Sequence, residues 1–394
     1  MNSVGEITAL VKQAAREAGF ELAGIAAVKE FAELEYFPKW IAAGHAGEMK
    51  YMEVRDESGN LKRSRLQRTA PWARSVVVCA VNYNSGHPYS TQVEDAERGW
   101  ISRYAWSRED YHEAVMRRLR AVEKELRAQI EASGAKAHDF PAACNGAAEA
   151  VPFHADAQPQ GRDTKVEENA GGTPALQSRC YVDTGPLVER VYAKYAGVGW
   201  IGKNTCILNQ KIGSWLFLGV ILTSIELVAD LPVADRCGTC TRCIEACPTN
   251  ALVGPYQLDS NLCISYLTIE KRGTIPEALR DKMGRHVFGC DICQDVCPWN
   301  RKAPATNAAE FEAREGLVNP ALAWLAEMTA EEFRERFRGS PVRRAKRSGL
   351  RRNAVVAMGN SGDRRFVPLL EKLASDEDES VAEHARWAVR KLST

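Results

Sequence analysis

The 394-residue sequence lacks an excess of charge of either sign, a long apolar run and an export signal. Its net charge of +1 creates no global field toward nucleic acid or membrane, so any basic surface must be local. The longest apolar run, Trp215 to Leu222, is far too short to span a bilayer. No signal peptide and no twin-arginine pair opens the chain. We therefore expect a cytoplasmic protein that does not enter a membrane.

Cysteine, in contrast, is abundant, with twelve residues. In a long chain without a secretion signal, metal binding explains this number better than a disulfide framework does. The first group has the spacing C-x2-C-x2-C-x3-C-P of bacterial ferredoxins, in which the fourth cysteine ligates the other cluster. This group consists of Cys237, Cys240, Cys243 and Cys247. The second group lacks one ligand, and it consists of Cys290, Cys293 and Cys297.

Cys263 lies between the two groups and can supply the missing ligand, so the sequence predicts two [4Fe–4S] clusters. We assign the first cluster to Cys237, Cys240, Cys243 and Cys297. We assign the second cluster to Cys247, Cys263, Cys290 and Cys293. Zinc is the alternative, because CxxC pairs also bind zinc, but two Cys-Pro endings favour iron–sulfur. Each cluster carries one electron, so a second cofactor is expected elsewhere in the chain.

The remaining sequence divides into regions of different periodicity. Before residue 230, helical and extended patterns alternate, which predicts an α/β or α+β domain. Ser75–Val81 and Trp215–Thr223 have the composition of buried strands, and Cys79 is expected to be a small core residue. Residues 145–177 lack periodicity and are predicted to form a flexible insertion. The predicted domains are an α/β domain at 1–228, a cysteine-rich domain at 229–305 and a helical domain at 306–394.

The helical domain shows patterns that resemble one or two HEAT-like helical pairs, beginning with a predicted helix at Met328–Phe337. The same region is strongly basic although the whole chain is nearly neutral. Its basic residues are Arg334, Arg336, Arg338, Arg343, Arg344, Lys346, Arg347, Arg351 and Arg352. Such a cluster indicates either contact with nucleic-acid phosphates or the solvated face of a helical array.

Five segments make the chain resemble the epoxyqueuosine reductase family over most of its length. Three contain the cysteines: CGTCTRCIEACPTNAL, CISYLTIEKRGTIPEALRDKMG and FGCDICQDVCPWN. The other two are YVDTGPLVERVYAKYAGVGWIGKNT at 181–205 and ISRYAWSREDYH at 101–112. The resemblance implies a nitroreductase-like, cobalamin-binding α/β domain, a ferredoxin-like insert with two clusters, and a HEAT-like tail.

The resemblance also implies an activity, namely reduction of epoxyqueuosine to queuosine at the wobble position of tRNA, with loss of water. The cofactors would be cobalamin and two [4Fe–4S] clusters. Electrons would come from an external donor of the flavodoxin or ferredoxin type, and the protein would act as a monomer. Alternative functions are a corrinoid reductive dehalogenase, which usually carries the twin-arginine signal absent here, and a non-enzymatic electron-transfer or tRNA-binding protein.

Four residues are predicted to form the cofactor and substrate site. Asp183, in VDTGP, matches the family's proposed proton donor, although an aspartate there could simply cap the following helix. Lys203 and Asn204 could bond corrin amides or the phosphate tail, or lie in a solvated turn. Arg63 matches a family arginine near the corrin, and a solvated arginine is the alternative.

Overall fold

The computed structural model describes residues 3–133 and 176–394. Most of the segment 145–177, for which the sequence predicts a flexible insertion, lies outside the described residues. The described chain combines helices with strands, so the coarse α+β prediction is confirmed. No helix within those two ranges has both the length and the apolarity that a membrane crossing requires.

Strands and helices are numbered in chain order. The strands are β1 (Leu22–Ala27), β2 (Ser75–Asn82), β3 (Trp100–Ile101), β4 (Ser178–Tyr181), β5 (Trp200–Ile201), β6 (Ile207–Leu208), β7 (Leu216–Thr223) and β8 (His286–Phe288). The helices before residue 300 are α1 (Val4–Glu17), α2 (Ala32–Ala42), α3 (Leu66–Thr69), α4 (Tyr111–Ser133), α5 (Glu189–Tyr195), α6 (Arg242–Glu245), α7 (Ile264–Ile269), α8 (Glu277–Arg280) and α9 (Ile292–Asp295). Those after residue 300 are α10 (Leu322–Glu327), α11 (Ala330–Arg336), α12 (Lys346–Ser361), α13 (Val367–Leu373) and α14 (Glu379–Ser393).

Four strands form one antiparallel sheet in the order β1-β2-β7-β4. Because alternate side chains of a strand point to opposite faces, β2 is buried along its whole length only if both faces are covered. Val77 and Cys79 pack into the core formed with α1 and α4, whereas Val76 and Val78 pack into the core formed with α5. The sheet is therefore a middle layer between helices, and Cys79 is a core residue, as predicted.

The cysteine-rich segment is joined to the N-terminal part by a parallel pairing of β3 with β8. Asp291 fixes this junction, since its carboxylate accepts hydrogen bonds from Trp100 Nε1 at 3.1 Å and from the backbone N–H of Arg103 at 2.8 Å. Helix α6 packs against α9, so the two cysteine groups meet. The pairing therefore holds the cysteine loops close to the end of the sheet domain.

The C-terminal helices pack on the cysteine-rich segment through one continuous apolar core. Helices α12 and α14 approach closely at Gly359, where an added Cβ would lie 2.7 Å from the Trp387 ring. The helix predicted at Met328–Phe337 begins later, because Thr329 forms a capping box with Glu332 and α11 starts at Ala330. The preceding residues belong to a separate helix, α10, which the sequence analysis did not predict.

Candidate active site and cluster ligands

The eight predicted cluster ligands divide into two neighbouring groups. Burial raises the pKa of Cys297 to about 11, and the charges of Cys237 and Cys243 add to this effect. Burial likewise raises the pKa of Cys243, with further contributions from Cys237 and Cys240. These mutual effects require that the four thiols lie close together. Cys297 therefore belongs to the second group in sequence but lies near the thiols of the first group in space.

The second group is assembled in the same way. Burial raises the pKa of Cys290, and the charges of Cys263 and Cys247 raise it further. Cys293 is hydrogen-bonded to Cys206 and also faces Cys290 and Cys263. Two such groups of neighbouring thiols are compatible with two cubanes that exchange one ligand each.

A cubane binds its four thiolates through four different iron atoms, so they stand farther apart than the ligands of one tetrahedral ion. Within residues 3–133 and 176–394, no group of three or more His, Cys, Asp or Glu side chains is arranged to hold a single metal ion. The ligand roles of the individual cysteines remain predictions.

Asp183 lies in the loop between β4 and α5, with its backbone at φ +58°. Aspartate tolerates this left-handed conformation better than most residues do. About half of its side chain (53%) is exposed. Helix α5 begins only at Glu189, where Val188 is the N-cap and no side chain caps the helix. The alternative role of Asp183 as the cap of this helix is therefore wrong.

Two residues at the start of α4 hold the Asp183 carboxylate. The Tyr111 hydroxyl donates a hydrogen bond to Asp183 Oδ2, and His112 Nε2 lies 3.8 Å from the same oxygen. On its other side, His112 Nδ1 lies 2.8 Å from Asp110 Oδ1. Burial alone would raise the pKa of Asp110, but its hydrogen bonds with His112 outweigh that effect and lower it. The sequence analysis did not assign a role to Tyr111 or His112, although both lie in the family-like segment 101–112.

Aromatic packing fixes the Tyr111 ring. It stacks on Phe217 with the ring centroids 4.4 Å apart and the planes 3° from parallel, and it meets Tyr104 edge-on at 5.9 Å. Burial raises the Tyr111 pKa well above its usual value, so the hydroxyl stays protonated and can donate to Asp183. A rigid donor of this kind holds the carboxylate in one orientation.

The C-terminal domain reaches the same region through Arg344. Its Nε atom lies 2.5 Å from Glu270 Oε1, and its guanidinium stands over the Tyr51 ring at 5.2 Å. Burial raises the pKa of Tyr104. The charge of Arg344 lowers this pKa, and the charge of Asp183 raises it further. Tyr104 therefore lies within electrostatic reach of both charged groups.

The other predicted cofactor contacts occupy three different positions. Arg63 donates from Nη1 to the Leu187 carbonyl at 3.3 Å, just before α5. Lys203 donates from Nζ to the carbonyls of Gly238 at 2.6 Å and Cys240 at 3.0 Å. Asn204 is buried and donates from Nδ2 to the Cys293 carbonyl at 3.3 Å. Lys203 and Asn204 thus lie in ordered contact with the cysteine loops rather than in a solvated turn, and their corrin contacts remain predictions.

The segment Gly197–Gly202 has the glycine spacing GxGxxG, which the sequence analysis overlooked. A dinucleotide-binding loop with this spacing follows a strand and opens a helix. Here the segment follows α5 and runs into the two-stranded β5–β6 hairpin instead. Its structural context therefore differs from that of a dinucleotide site.

The basic residues after 330 do not form one surface. Arg351 and Arg352 are buried, with 5% and 1% exposure. Arg351 forms an ion pair with Asp376, with 2.5 Å between Nη2 and Oδ2. Arg352 donates to the carbonyls of Lys271, Gly273 and Leu267 at 2.6 to 3.0 Å. The prediction that these two arginines contact tRNA is wrong, because their donors are already used inside the protein. Arg338, Arg343 and Lys346 are exposed.

This division predicts different effects of charge removal on RNA binding. Replacing Arg338 and Arg343 by glutamine should flatten the plot of log affinity for tRNA against log salt by about 0.7 to 0.9 per lost phosphate contact. Arg352→Gln should leave that slope unchanged, yet lower the free energy of unfolding by about 3 kcal/mol, since it leaves buried carbonyls unpaired. Binding titrations at several salt concentrations and chemical denaturation measure the two effects. An unchanged slope for the exposed pair would contradict this division.

Two protein families match parts of this chain. The family described as 4Fe-4S double cluster binding domain matches residues 236–300, the segment that contains both cysteine groups. The family described as epoxyqueuosine reductase QueG, DUF1730, matches residues 63–139. The fold and the cysteine groups therefore define an iron–sulfur protein with a double-cluster domain, and zinc is not favoured.

Similarity over the whole chain identifies the family. An epoxyqueuosine reductase of Synechocystis sp. is 41% identical over 80% of this chain and 91% of the relative. That of Pseudomonas aeruginosa is 36% identical over 97% of this chain and 93% of the relative. The chain belongs to the epoxyqueuosine reductase family. A solved epoxyqueuosine reductase with an epoxyqueuosine-modified tRNA-Tyr stem loop superposes with a TM-score of 0.79 at 27% identity, covering 100% of this chain and 92% of that chain.

Proposed function

We propose that this chain is an oxidoreductase that reduces epoxyqueuosine at the wobble position of tRNA to queuosine and releases the epoxide oxygen as water. Membership of the family supports this activity over dehalogenation and over a non-enzymatic role. The observation that carries the proposal is the Asp183 carboxyl, half-exposed and held by Tyr111 beside His112. It provides a positioned acid for a reaction that must protonate a departing oxygen.

The cofactors are two [4Fe–4S] clusters and cobalamin. Arg63 and Asp183 suit a corrin site, because Arg63 donates to the Leu187 carbonyl in the same β4–α5 loop that contains Asp183, so both groups lie in one region. Bound there, cobalamin would supply a strongly reducing cobalt centre. Arg63, Asp183, Lys203 and Asn204 are the proposed contacts. The chain itself orients the substrate, excludes water and supplies the proton at Asp183 Oδ.

Two [4Fe–4S] clusters bound by the cysteine loops would supply this site with electrons one at a time. Lys203 and Asn204 belong to one loop and bond the carbonyls of Cys240, from the first cluster group, and Cys293, from the second. This loop thus joins the sheet domain to both cluster-binding loops. We assign to it the role of holding the clusters at a fixed distance from the corrin, with reduced flavodoxin or ferredoxin as the external donor.

We propose that the chain consists of three domains. Residues 1–228 form a nitroreductase-like cobalamin-binding domain, residues 229–305 a ferredoxin-like domain, and residues 306–394 a HEAT-like domain. The protein acts as a cytoplasmic monomer on tRNA. The exposed Arg338, Arg343 and Lys346, together with Arg344 at the site, supply the phosphate contacts.

Removing the Tyr111 hydroxyl tests whether it orients the acid. Tyr111→Phe keeps the stacking on Phe217 but loses the hydrogen bond that orients the Asp183 carboxyl, worth about 0.5 to 1.5 kcal/mol. We expect turnover to fall roughly 2- to 13-fold with unchanged cluster content, measured by mass spectrometry of tRNA nucleosides. Tyr192→Phe is the matched control, since the buried Tyr192 hydroxyl has no hydrogen-bond partner among the described residues. Equal rates for both variants would show that the Tyr111 hydroxyl does not orient Asp183.

The proposed activity is tested with anaerobically reconstituted enzyme that holds both clusters and cobalamin. Epoxyqueuosine tRNA and a chemical reductant should yield a nucleoside lighter by one oxygen atom. Heat-denatured enzyme and tRNA that already carries queuosine are the controls. A product heavier by one water molecule would instead indicate epoxide hydrolysis and would overturn the proposal.

A further inference from the structure

The cysteines assigned to the two clusters lie in different surroundings. In the first cluster group, the residues on both sides of Cys240, which are Thr239 and Thr241, are exposed. In the second cluster group, both chain neighbours of Cys290 are buried. A protein that donates electrons can approach only a cluster that lies near the surface. The first cluster group is therefore the one that such a donor can reach.

The second cluster group lies on the side of the proposed active site. Gly289 directly precedes Cys290, and a Cβ atom added at Gly289 would lie 3.5 Å from Tyr104 Cε1. The Tyr104 ring meets edge-on the ring of Tyr111, whose hydroxyl holds Asp183. Electrons that enter at the first cluster group and leave from the second would thus pass from the surface to the site of Asp183.

One tryptophan and two cations follow Cys297 of the first cluster group. Cys297 packs in one apolar cluster with Cys237 and Trp299. Arg301 and Lys302 come directly after a single 3₁₀ turn that contains Trp299, and both are exposed. The first cluster group therefore approaches the surface at Trp299, with two positive charges next to it in the chain.

Lys211 adds a third exposed positive charge to the same surface. It lies in the turn between β6 and β7, just before Ser214. The Ser214 backbone N–H donates a hydrogen bond at 2.7 Å to the Oδ1 atom of Asn300, the residue before Arg301. This contact brings the turn with Lys211 against the segment that carries the other two cations.

The three positive charges are not balanced within their own segments. Residues 206–225 and 296–309 contain no aspartate or glutamate. None of the three cations has an ion-pair partner in the part of the chain that the structure describes. The exposed Asp235, which precedes the first cluster group, already accepts hydrogen bonds from the Tyr256 hydroxyl and the Cys237 backbone N–H. The surface is thus electrostatically complementary to a partner that carries carboxylates.

We propose, resting on the function proposed above, that Lys211, Arg301 and Lys302 form with Trp299 the docking surface for an electron carrier protein that is acidic around its redox cofactor. The carrier loses one electron and the first cluster gains it, and no covalent bond forms or breaks. Two such deliveries supply the two electrons of one reduction. Complexes of electron-transfer proteins bury little area, so charge attraction sets their rate of encounter.

The phosphates of tRNA are the other class of anion that three cations attract. The position of the docking surface favours the electron carrier. Its cations adjoin the first cluster group, whereas the site that the substrate base must reach, at Asp183, adjoins the second. The two partners are separated by measuring the affinity of each for the same variants.

The test uses flavodoxin as the probe and a triple variant with Lys211→Glu, Arg301→Glu and Lys302→Glu. At low salt its dissociation constant for flavodoxin should be roughly 10- to 100-fold that of the parent enzyme. The difference should shrink toward about 1 M salt, where charges are screened beyond about 3 Å. Turnover at low flavodoxin concentration should fall by a similar factor relative to turnover driven by dithionite. Lys302→Glu alone should raise the dissociation constant roughly 2- to 5-fold.

The matched control is a triple variant with Lys29→Glu, Lys124→Glu and Lys282→Glu. These exposed lysines lie elsewhere, and their replacement changes the net charge by the same amount. The control should keep the parent affinity for flavodoxin, and the iron content of every variant should equal that of the parent. An equal loss of affinity in the control would show that net charge alone matters and would overturn the proposal.

Two further results would overturn the docking surface. One is a parent-like affinity of the first triple variant for flavodoxin. The other is a loss of tRNA affinity with unchanged flavodoxin affinity, which would assign the surface to nucleic acid. Binding of flavodoxin requires no turnover. A parent enzyme that binds flavodoxin through these cations but never reduces epoxyqueuosine would therefore overturn the proposed function and support the docking surface.

Discussion

Replacing Asp183 by asparagine is expected to lower turnover of epoxyqueuosine tRNA by roughly two to four orders of magnitude, the usual contribution of a general acid. Asparagine has nearly the same size and still accepts the hydrogen bond from Tyr111, but it has no proton to give. The variant should retain both clusters and cobalamin. The rate is measured from queuosine formation under single-turnover conditions, so that product release does not mask the chemical step.

The Asp183 side chain is partly open to solvent before the cofactor and the substrate bind. About half of the Asp183 side chain is exposed in the protein alone. Bound cobalamin and the inserted base would cover this exposed part and exclude water from it. Asp281→Asn, at an exposed carboxylate paired with Lys391, is the matched control and should keep the parent rate. A parent-like rate for Asp183→Asn would assign the proton to water or to another residue.

The second large effect concerns the exchange of cluster ligands. The parent should contain about eight iron and eight sulfide per chain, as two cubanes require. Cys247→Ser and Cys297→Ser should each weaken both clusters, because each cysteine belongs by sequence to one group and by position to the other. We expect the iron content of either variant to fall to roughly half or less. Iron analysis and electron paramagnetic resonance after reduction measure the loss.

Cys180→Ser is the control for this experiment, since Cys180 lies within strand β4 and contacts Glu123 rather than a cluster group. It should retain the full iron content. Zinc at two atoms per chain in the parent, without the broad visible absorbance of iron–sulfur clusters, would contradict the assignment.

The central sheet could be predicted because its signal is local, whereas the division of the cysteines between two clusters stays a prediction. β2 and β7 are continuous apolar runs, which buried strands produce, and the cysteine spacing limits which thiols can reach one cubane. The hydrophobic pattern could not predict that α10 ends at Glu327. Apolar residues continue at helical spacing past the Thr329 cap. The capping box of Thr329 and Glu332, and not the hydrophobic pattern, decides where the next helix, α11, begins.

The buried arginines show a different limit. Arg351 and Arg352 stand beside exposed basic residues in sequence, and nothing in the local pattern separates them. Their partners are Asp376 and the carbonyls of residues 267–273, which only the folded chain brings together. The same holds for Tyr111, whose contact with Asp183 joins positions 72 residues apart.

The number of electrons consumed per product molecule distinguishes reduction of the epoxide from every other reaction of it. Enzyme that holds both clusters and cobalamin receives a limiting, measured amount of reduced flavodoxin and an excess of epoxyqueuosine tRNA. About one queuosine should form for every two electrons delivered, and none in enzyme that lacks either cofactor. Queuosine formed without consumption of electrons, or by enzyme freed of its clusters, would contradict the proposed activity.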